Sequence, residues 1–343
     1  MMEWESVYRV AMLGFLVGIV FGAVVNKTNF CTMGAISDWI NIGSKDRLRA
    51  WFLAIGVAIL ASQVMQAQGV IDLSEVMYLT PNFGWLGHIV GGLLFGIGMT
   101  LASGCGQRTL VRVGGGNLKS LVVLILLGLT AYMTMRGLLA LVRVNAIEVT
   151  NIGLAGSGIP DQGMGTLIAA GAGIENTTLV NWVVTALLGG GLIVYAFAAR
   201  SFRHSFDNIL AGIAIGLIIP AGWYITGVIG FDDFDPVRLG SFLFVVATGR
   251  FRLETFTDRD DMIRHIVGGI TMGFGGVLAL GCTIGQGVTG MSTLALGSLL
   301  SLISIIVGSA LTMKVQYYRL DDMTFLSALR QSLADMKLFP GAR

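Results

Sequence analysis

Charge is the scarcest thing in this sequence. Only 12% of its 343 residues are Asp, Glu, Lys or Arg, against roughly 25% in a soluble domain, so half of the usual solvated surface is missing. The net charge is +2, which gives no reason to expect a nucleic-acid partner. Proline is equally sparse, with 5 residues, so few helices are interrupted by it. Histidine and cysteine number three each. The cysteines Cys31, Cys105 and Cys282 stand far apart, with no CxxC and no Cys/His cluster. That excludes a structural zinc site of the usual spacing, and no metal or other cofactor is expected. A disulfide between two of the three stays open at this level. Gly114-Gly115-Gly116 is not followed by the Lys-Ser/Thr of a phosphate loop. An ATP-binding site of that type on this chain is therefore not expected. The opening MMEWESVYR is acidic where a cleaved leader is basic, so the first apolar run is expected to remain as a span.

What is present points to lipid. Apolar residues make up 54% of the chain and the mean hydropathy is +0.78. The 49 glycines are about twice the usual ~7%. In water they would weaken helices, but between membrane helices they let backbones approach closely. Apolar runs near 8–26, 50–70, 84–104, 119–142, 179–199, 208–230, 237–250, 264–282 and 298–315 predict about nine spans. The run at 237–250 is short for a crossing. Residues 144–178 are rich in Gly, Asn and Asp and read as a loop with interfacial turns. Residues 321–338 set Met323, Leu326, Leu329, Leu333 and Met336 at helical spacing opposite Asp322, Arg330 and Asp335, an amphipathic surface helix. The fold class is thus an all-α polytopic membrane protein with the bilayer as its solvent. Basic residues alternate between loops: Lys45, Arg47 and Arg49, then Arg108, Arg112 and Lys119, then Arg200 and Arg203, then Arg250 to Arg264, then Lys314 and Arg319. The rule that basic loops stay in the cytoplasm then puts the N-terminus outside and the C-terminus inside.

The chain repeats itself. Residues 88–105 read HIVGGLLFGIGMTLASGC and residues 265–282 read HIVGGITMGFGGVLALGC, at a constant offset of 177. A fainter match sets Gly14, Gly18 and Gly22 against Gly212, Gly216 and Pro220 to Gly222. In the topology above the two copies run in opposite directions. The halves, 1–170 and 171–343 within one membrane domain, are then inverted repeats, a common construction for transporters. The GxxxG steps (Gly92/Gly96, Gly269/Gly273) read as helix packing, and His88 and His265 as inherited repeat packing.

The cysteines sit where helices should break inside the membrane. The stretch from His88 to Ser103 is 16 residues, about 24 Å of helix at ~1.5 Å per residue, short of a hydrocarbon core of about 30 Å. Gly104-Cys105-Gly106-Gln107 and Gly281-Cys282-Thr283-Ile284-Gly285-Gln286-Gly287 are therefore expected at membrane depth. Irregular backbone is tolerated there only where protein buries it or it lines a cavity. Glycines expose backbone N–H groups, helix starts favour anions, Gln107 and Gln286 offer neutral donors, and Arg108 adds a positive charge beside one loop. Cys31, in Asn29-Phe30-Cys31-Thr32-Met33-Gly34, follows the first span and has no counterpart in the second half. Thiols are soft and polarizable and suit a soft sulfur-bearing anion better than a hard one.

At these cysteine loops the sequence resembles the YeeE/YedE family of bacterial sulfur-transport membrane proteins, and the likeness runs through nearly the whole chain. The resemblance implies an hourglass-like helical permease of the bacterial inner (cytoplasmic) membrane that takes up thiosulfate or a related sulfur anion. It implies a relay in which Cys31, Cys105 and Cys282 hand the ion along by S–H hydrogen bonds. It also implies, for some members, a small cytoplasmic sulfur-carrier protein as partner, and for others a role in selenium metabolism. A membrane-embedded thiol enzyme of sulfurtransferase type is the alternative on the residues. It is disfavoured because no histidine lies near the cysteines in sequence to lower a thiol pKa.

Overall fold

The structure is a computed structural model and describes residues 3–230, 256 and 258–336. Among them the chain is helical almost throughout. In order the helices are α1 (Glu3–Thr28), α2 (Thr32–Ser37), α3 (Asp46–Ala67), α4 (Trp85–Leu101), α5 (Gly106–Gly114), α6 (Leu118–Arg136) and α7 (Leu138–Val142). They continue as α8 (Met164–Ala172), α9 (Thr177–Thr185), α10 (Gly191–Ala198), α11 (Arg200–Arg203) and α12 (Phe206–Tyr224). The last three are α13 (Arg259–Leu278), α14 (Leu296–Leu320) and α15 (Phe325–Asp335). One two-stranded antiparallel ribbon, β1 (Asn82–Phe83) with β2 (Ile152–Gly153), pins the 144–178 connection to the start of α4.

Seven helical stretches among the described residues are long and apolar enough to cross a bilayer. They are Val7–Ile42, Asp46–Ala67, Trp85–Gly114, Leu118–Arg136, Thr177–Ala198, Phe206–Ile229 and Leu296–Leu320. The chain is a polytopic all-α membrane protein. α13 covers the expected span at 264–282, but Arg259, Asp260, Asp261 and Arg264 crowd its opening turns. The expected span at 237–250 lies outside the described residues. Two expectations need adjustment. The run at 119–142 is not one helix but α6 and α7, broken at Gly137, where an added methyl would lie 2.9 Å from the Met133 backbone. The 144–178 connection, read as a loop, also contains the nine-residue helix α8.

Side chains cap the starts of several helices. Asn117 accepts from the Ser120 N–H at the start of α6, Asn176 from Leu179 at α9, and Asp258 from Asp261 at α13. Lys119 of α6 meets Asp261 of α13 at 2.6 Å, so these two helices start side by side. α15 lies against α14 through Tyr318, whose hydroxyl donates to Asp335. It buries Ala328 and Ser332 and leaves Leu326 exposed. The predicted amphipathic face is therefore only partly covered by protein.

Glycines set the central packing. A methyl at Gly91 would lie 2.7 Å from the Gly275 carbonyl oxygen, and one at Gly268 would lie 2.8 Å from that of Gly98. Under the 177-residue repeat Gly91 maps to Gly268 and Gly98 to Gly275. One contact is therefore the image of the other, as a two-fold axis between antiparallel α4 and α13 requires. The flanking helices follow suit. Gly92 and Gly96 of α4 seat on α14 at Ser301, Ser304 and Ile305, while Gly269 and Gly273 of α13 seat on α6 at Val123, Leu126 and Leu127. These are backbone-to-backbone approaches that only small residues permit.

Candidate functional site

All three cysteines occupy one kind of helix break. α1 ends at Thr28, and Asn29 then turns left-handed (φ 52°). After α4 comes Ser103 (φ 57°), and after α13 Leu280 (φ 57°). Each cysteine stands two residues beyond that left-handed residue. Cys31 (φ −155°, ψ 128°) and Cys105 (φ −74°, ψ 170°) are extended and lead into α2 and α5. After Cys282 the chain passes into a π-helical turn, Gly285–Gly290, before α14. The two repeat copies close their helices with the same paired bonds. Gly104 N–H reaches Met99 O at 2.9 Å and Ser103 N–H reaches Thr100 O at 3.3 Å. Gly281 N–H reaches Gly276 O at 2.8 Å and Leu280 N–H reaches Val277 O at 3.1 Å. This is the Schellman arrangement, which normally places glycine at the left-handed position. Here serine and leucine hold it, and a branched residue at positive φ carries strain of the sort found at functional sites.

The breaks converge. Cys31 and Cys105 lie near enough for each thiol to act on the other. Cys105 is fully buried and shares an apolar cluster with Met99 and Met272, against which Cys282 also packs. The Gly285 N–H points at Cys282 Sγ from 3.5 Å. A cavity of about 410 Å³ is lined by Gly281, Cys282 and Gly285 of one break and by Gly106 and Gln107 of another. Tyr78, from the connection between α3 and α4, lines it too. Burial, with Cys282 beside it, holds the Tyr78 phenol above its ordinary value, so it is a neutral hydroxyl there. A second cavity, of about 320 Å³, is lined by Leu280, His88 and Arg143. Arg143 is paired with Glu148.

The remaining residues singled out from sequence fall around these breaks, with some changes of role. Thr283 and Gln286 are fully buried and Gln107 nearly so. The glutamines were expected to offer donors to an ion. Instead Gln107 Nε2 donates to Phe30 O (3.2 Å) and Gln286 Nε2 to Ala279 O (2.6 Å), and it is their Oε1 atoms that have no partner. Each glutamine therefore ties a break together first. Arg108 donates to Asn29 Oδ1 (3.2 Å), joining α5 to the first break, and packs on Gly104. Arg112, one turn on, donates to Ser103 O at 2.8 Å. Both guanidiniums act electrostatically on Cys31. Arg47, paired with Asp38 at 2.9 Å, lies over Gly34, where a methyl would stand 2.2 Å from its guanidinium nitrogen. Sequence reasoning missed Arg47, Arg112, Tyr78 and Trp51 as parts of this site. The spacing of Arg112 four residues after Arg108 was a signal; Trp51, which stacks on Phe30 with ring centroids 4.5 Å apart, left none. His88 bonds Ser301 Oγ at 2.8 Å and His265 pairs with Asp261 at 3.2 Å. The shared pentapeptide therefore serves two different local networks. Among the described residues no group of three or more His, Cys, Asp or Glu could hold a metal ion.

The model of a family described as sulphur transport matches residues 27–234 and 236–311. The chain belongs to that family. Two relatives match over most of their length. The thiosulfate transporter TsuA of Spirochaeta thermophila is 27% identical, covering 86% of this chain and 96% of its own. TsuA of Escherichia coli is 26% identical over 88% and 93%. The probable transporter YedE of Escherichia coli is 29% identical over 30% of this chain and 24% of its own. This member of the sulphur transport family is accordingly a multi-pass membrane transporter rather than an enzyme.

Proposed function

We propose that the protein is a permease for thiosulfate or a closely related sulfur-containing anion, with Cys31, Cys105 and Cys282 as the thiols that line its path. The observation that carries this reading is the convergence of three helix breaks of one geometry. They bring one thiol pair close together and set the third thiol beside a cavity shared with the start of α5. The similarity to two thiosulfate transporters over most of their length supports the substrate class.

The path follows from the antiparallel crossing. α13 ends beside Gly87 and Gly91 at the start of α4, so Cys282 lies toward the end of the molecule where α4 begins, and Cys105 toward the end where it stops. With the N-terminus outside, as the basic loops indicate, Cys282 faces the outer side and the Cys31–Cys105 pair the inner. The ion then enters by the cavity beside Arg143 and passes the Leu280 turn to Cys282. It crosses to Cys105 and Cys31 and leaves past Arg108, Arg112 and Arg47. Each thiol donates an S–H hydrogen bond and accepts no electrons, so no bond is made or broken and nothing is consumed. The guanidiniums favour an anion at the inner mouth, where a small cytoplasmic sulfur carrier would receive it. The repeat halves 1–170 and 171–343 supply one Gly-Cys break each, and the bacterial cytoplasmic membrane is the expected site. Purified protein in liposomes, given ³⁵S-thiosulfate outside, tests the reading: time-dependent accumulation supports it. Uptake of selenium analogues alone would move the substrate, and no uptake of any sulfur or selenium anion would refute it.

A further inference from the structure

Several of the buried polar atoms without partners gather at the cysteine breaks. Among the described residues nine such side-chain atoms occur, and Thr32 Oγ1, Gln107 Oε1, Thr283 Oγ1 and Gln286 Oε1 all lie within four residues of a path cysteine. Trp51 Nε1, from α3, is another of the nine. Three of these atoms belong to donors. Thr32 follows Cys31 and is 4% exposed, Thr283 follows Cys282 and is 0% exposed, and Trp51 is 3% exposed. Trp51 joins the two: it stacks on Phe30, next to Cys31, and its ring comes within 3.7 Å of where a methyl at Gly287 would stand, in the turn that follows Cys282. Buried donors are almost always satisfied in native proteins, and an orphan calls for an explanation. Three orphans strung from one thiol break to the other have a common one, an occupant that is present when the path is used.

The chemistry of these donors complements that of the thiols. A thiol is a soft, weak donor suited to a terminal sulfur, whereas a hydroxyl or an indole N–H is a hard donor suited to an anionic oxygen. Charged side chains would hold an oxyanion too firmly to release it, and neutral donors avoid that trap. We infer that Thr283, Trp51 and Thr32 are the oxygen-end donors of the path, so that its substrate is an oxyanion bearing a terminal sulfur, gripped by a thiol at one end and by these groups at the other. This rests on the permease reading above and narrows it. Sulfate lacks the soft end, and hydrosulfide lacks the hard end.

The test uses the full-length protein in liposomes and in detergent. Trp51→Phe, Thr32→Val and Thr283→Val remove one donor each while keeping shape. Each is expected to lower ³⁵S-thiosulfate uptake about tenfold, equivalent to ~1.4 kcal/mol of lost transition-state stabilisation. In the wild type, the indole ¹H–¹⁵N resonance assigned to Trp51 by its absence in Trp51→Phe is expected to move downfield on adding thiosulfate and to stay put with sulfate. That measurement does not depend on the variants folding. If the wild type transports thiosulfate while all three variants match it within twofold, or if the Trp51 resonance ignores thiosulfate, the donors hold water only. The inference then falls and the permease reading stands. A wild type that transports no sulfur anion removes both.

Discussion

The two-fold contact between α4 and α13 makes a quantitative demand on four glycines. A methyl placed at Gly98 would lie 2.5 Å from Thr271 Oγ1 and 2.7 Å from both Gly268 O and Met272 N. At its repeat mate Gly275 a methyl would lie 2.6 Å from Gly91 O and 2.6 Å from Phe95 N. Ordinary contacts sit at about 3.5–4.0 Å, and the obstacles are mostly backbone, so the helices must separate by roughly 1 Å. Overpacking of that kind costs about 1–3 kcal/mol. Gly98→Ala and Gly275→Ala are therefore expected to destabilise by similar amounts. Gly128, in α6, has nothing within 4 Å of an added methyl. There Gly→Ala gains up to about 1 kcal/mol of helix propensity with no clash. At roughly 2 °C per kcal/mol for a long chain, the first two variants should lose about 2–6 °C in Tm and the third should gain up to about 2 °C. The three free cysteines supply the assay, since a thiol-reactive fluorophore reports unfolding of detergent-purified protein. If Gly98→Ala and Gly275→Ala melt like Gly128→Ala, or if only one of the pair is destabilised, the symmetric crossing is wrong.

Other expectations follow from single contacts. Ser103→Gly keeps the backbone carbonyl that Arg112 bonds and relieves a left-handed position that costs a side-chain-bearing residue about 1–2 kcal/mol. It should raise Tm by roughly 2–4 °C by the same conversion and leave uptake unchanged. Arg108→Gln removes the tie to Asn29 and a charge near Cys31. It should slow thiosulfate uptake about tenfold, as loss of one charge-assisted contact does, and flatten its dependence on ionic strength. The Asp335 carboxyl is held below its ordinary 3.8 by the hydrogen bond from Tyr318. A depressed carboxyl stabilises docking above its ordinary value and loses that contribution as pH falls through the lowered one. Pepsin should thus cut α15 slowly at pH 5 and faster toward pH 2, and Asp335→Asn should be cut quickly at both.

The sequence made some of this legible for plain physical reasons. Spans were visible because lipid demands long apolar runs, and the repeat was visible because close helix crossing fixes glycines at invariant spacing. The Gly-Cys breaks stood out at the ends of the two copies. The equivalence of the third break did not. Asn29-Phe30-Cys31, Ser103-Gly104-Cys105 and Leu280-Gly281-Cys282 share only their cysteine, because the left-handed turn is a property of backbone that asparagine, serine and, under strain, leucine can all adopt. The glutamine amides looked like free donors because the carbonyls that claim them lie on other parts of the fold: 77 residues away for Gln107, and across the Gly281 turn for Gln286. Trp51 was indistinguishable from any aromatic in an apolar helix until its stack on Phe30 brought it between two breaks.

The most direct measurement is initial-rate ³⁵S-thiosulfate uptake into liposomes by the wild type and by Cys105→Ala and Cys282→Ala, with equal reconstitution checked by immunoblot. The account predicts uptake by the wild type and its loss in both variants, because each breaks the line of thiols at a different break. Uptake at the wild-type rate by either variant would contradict a path that runs through all three cysteines.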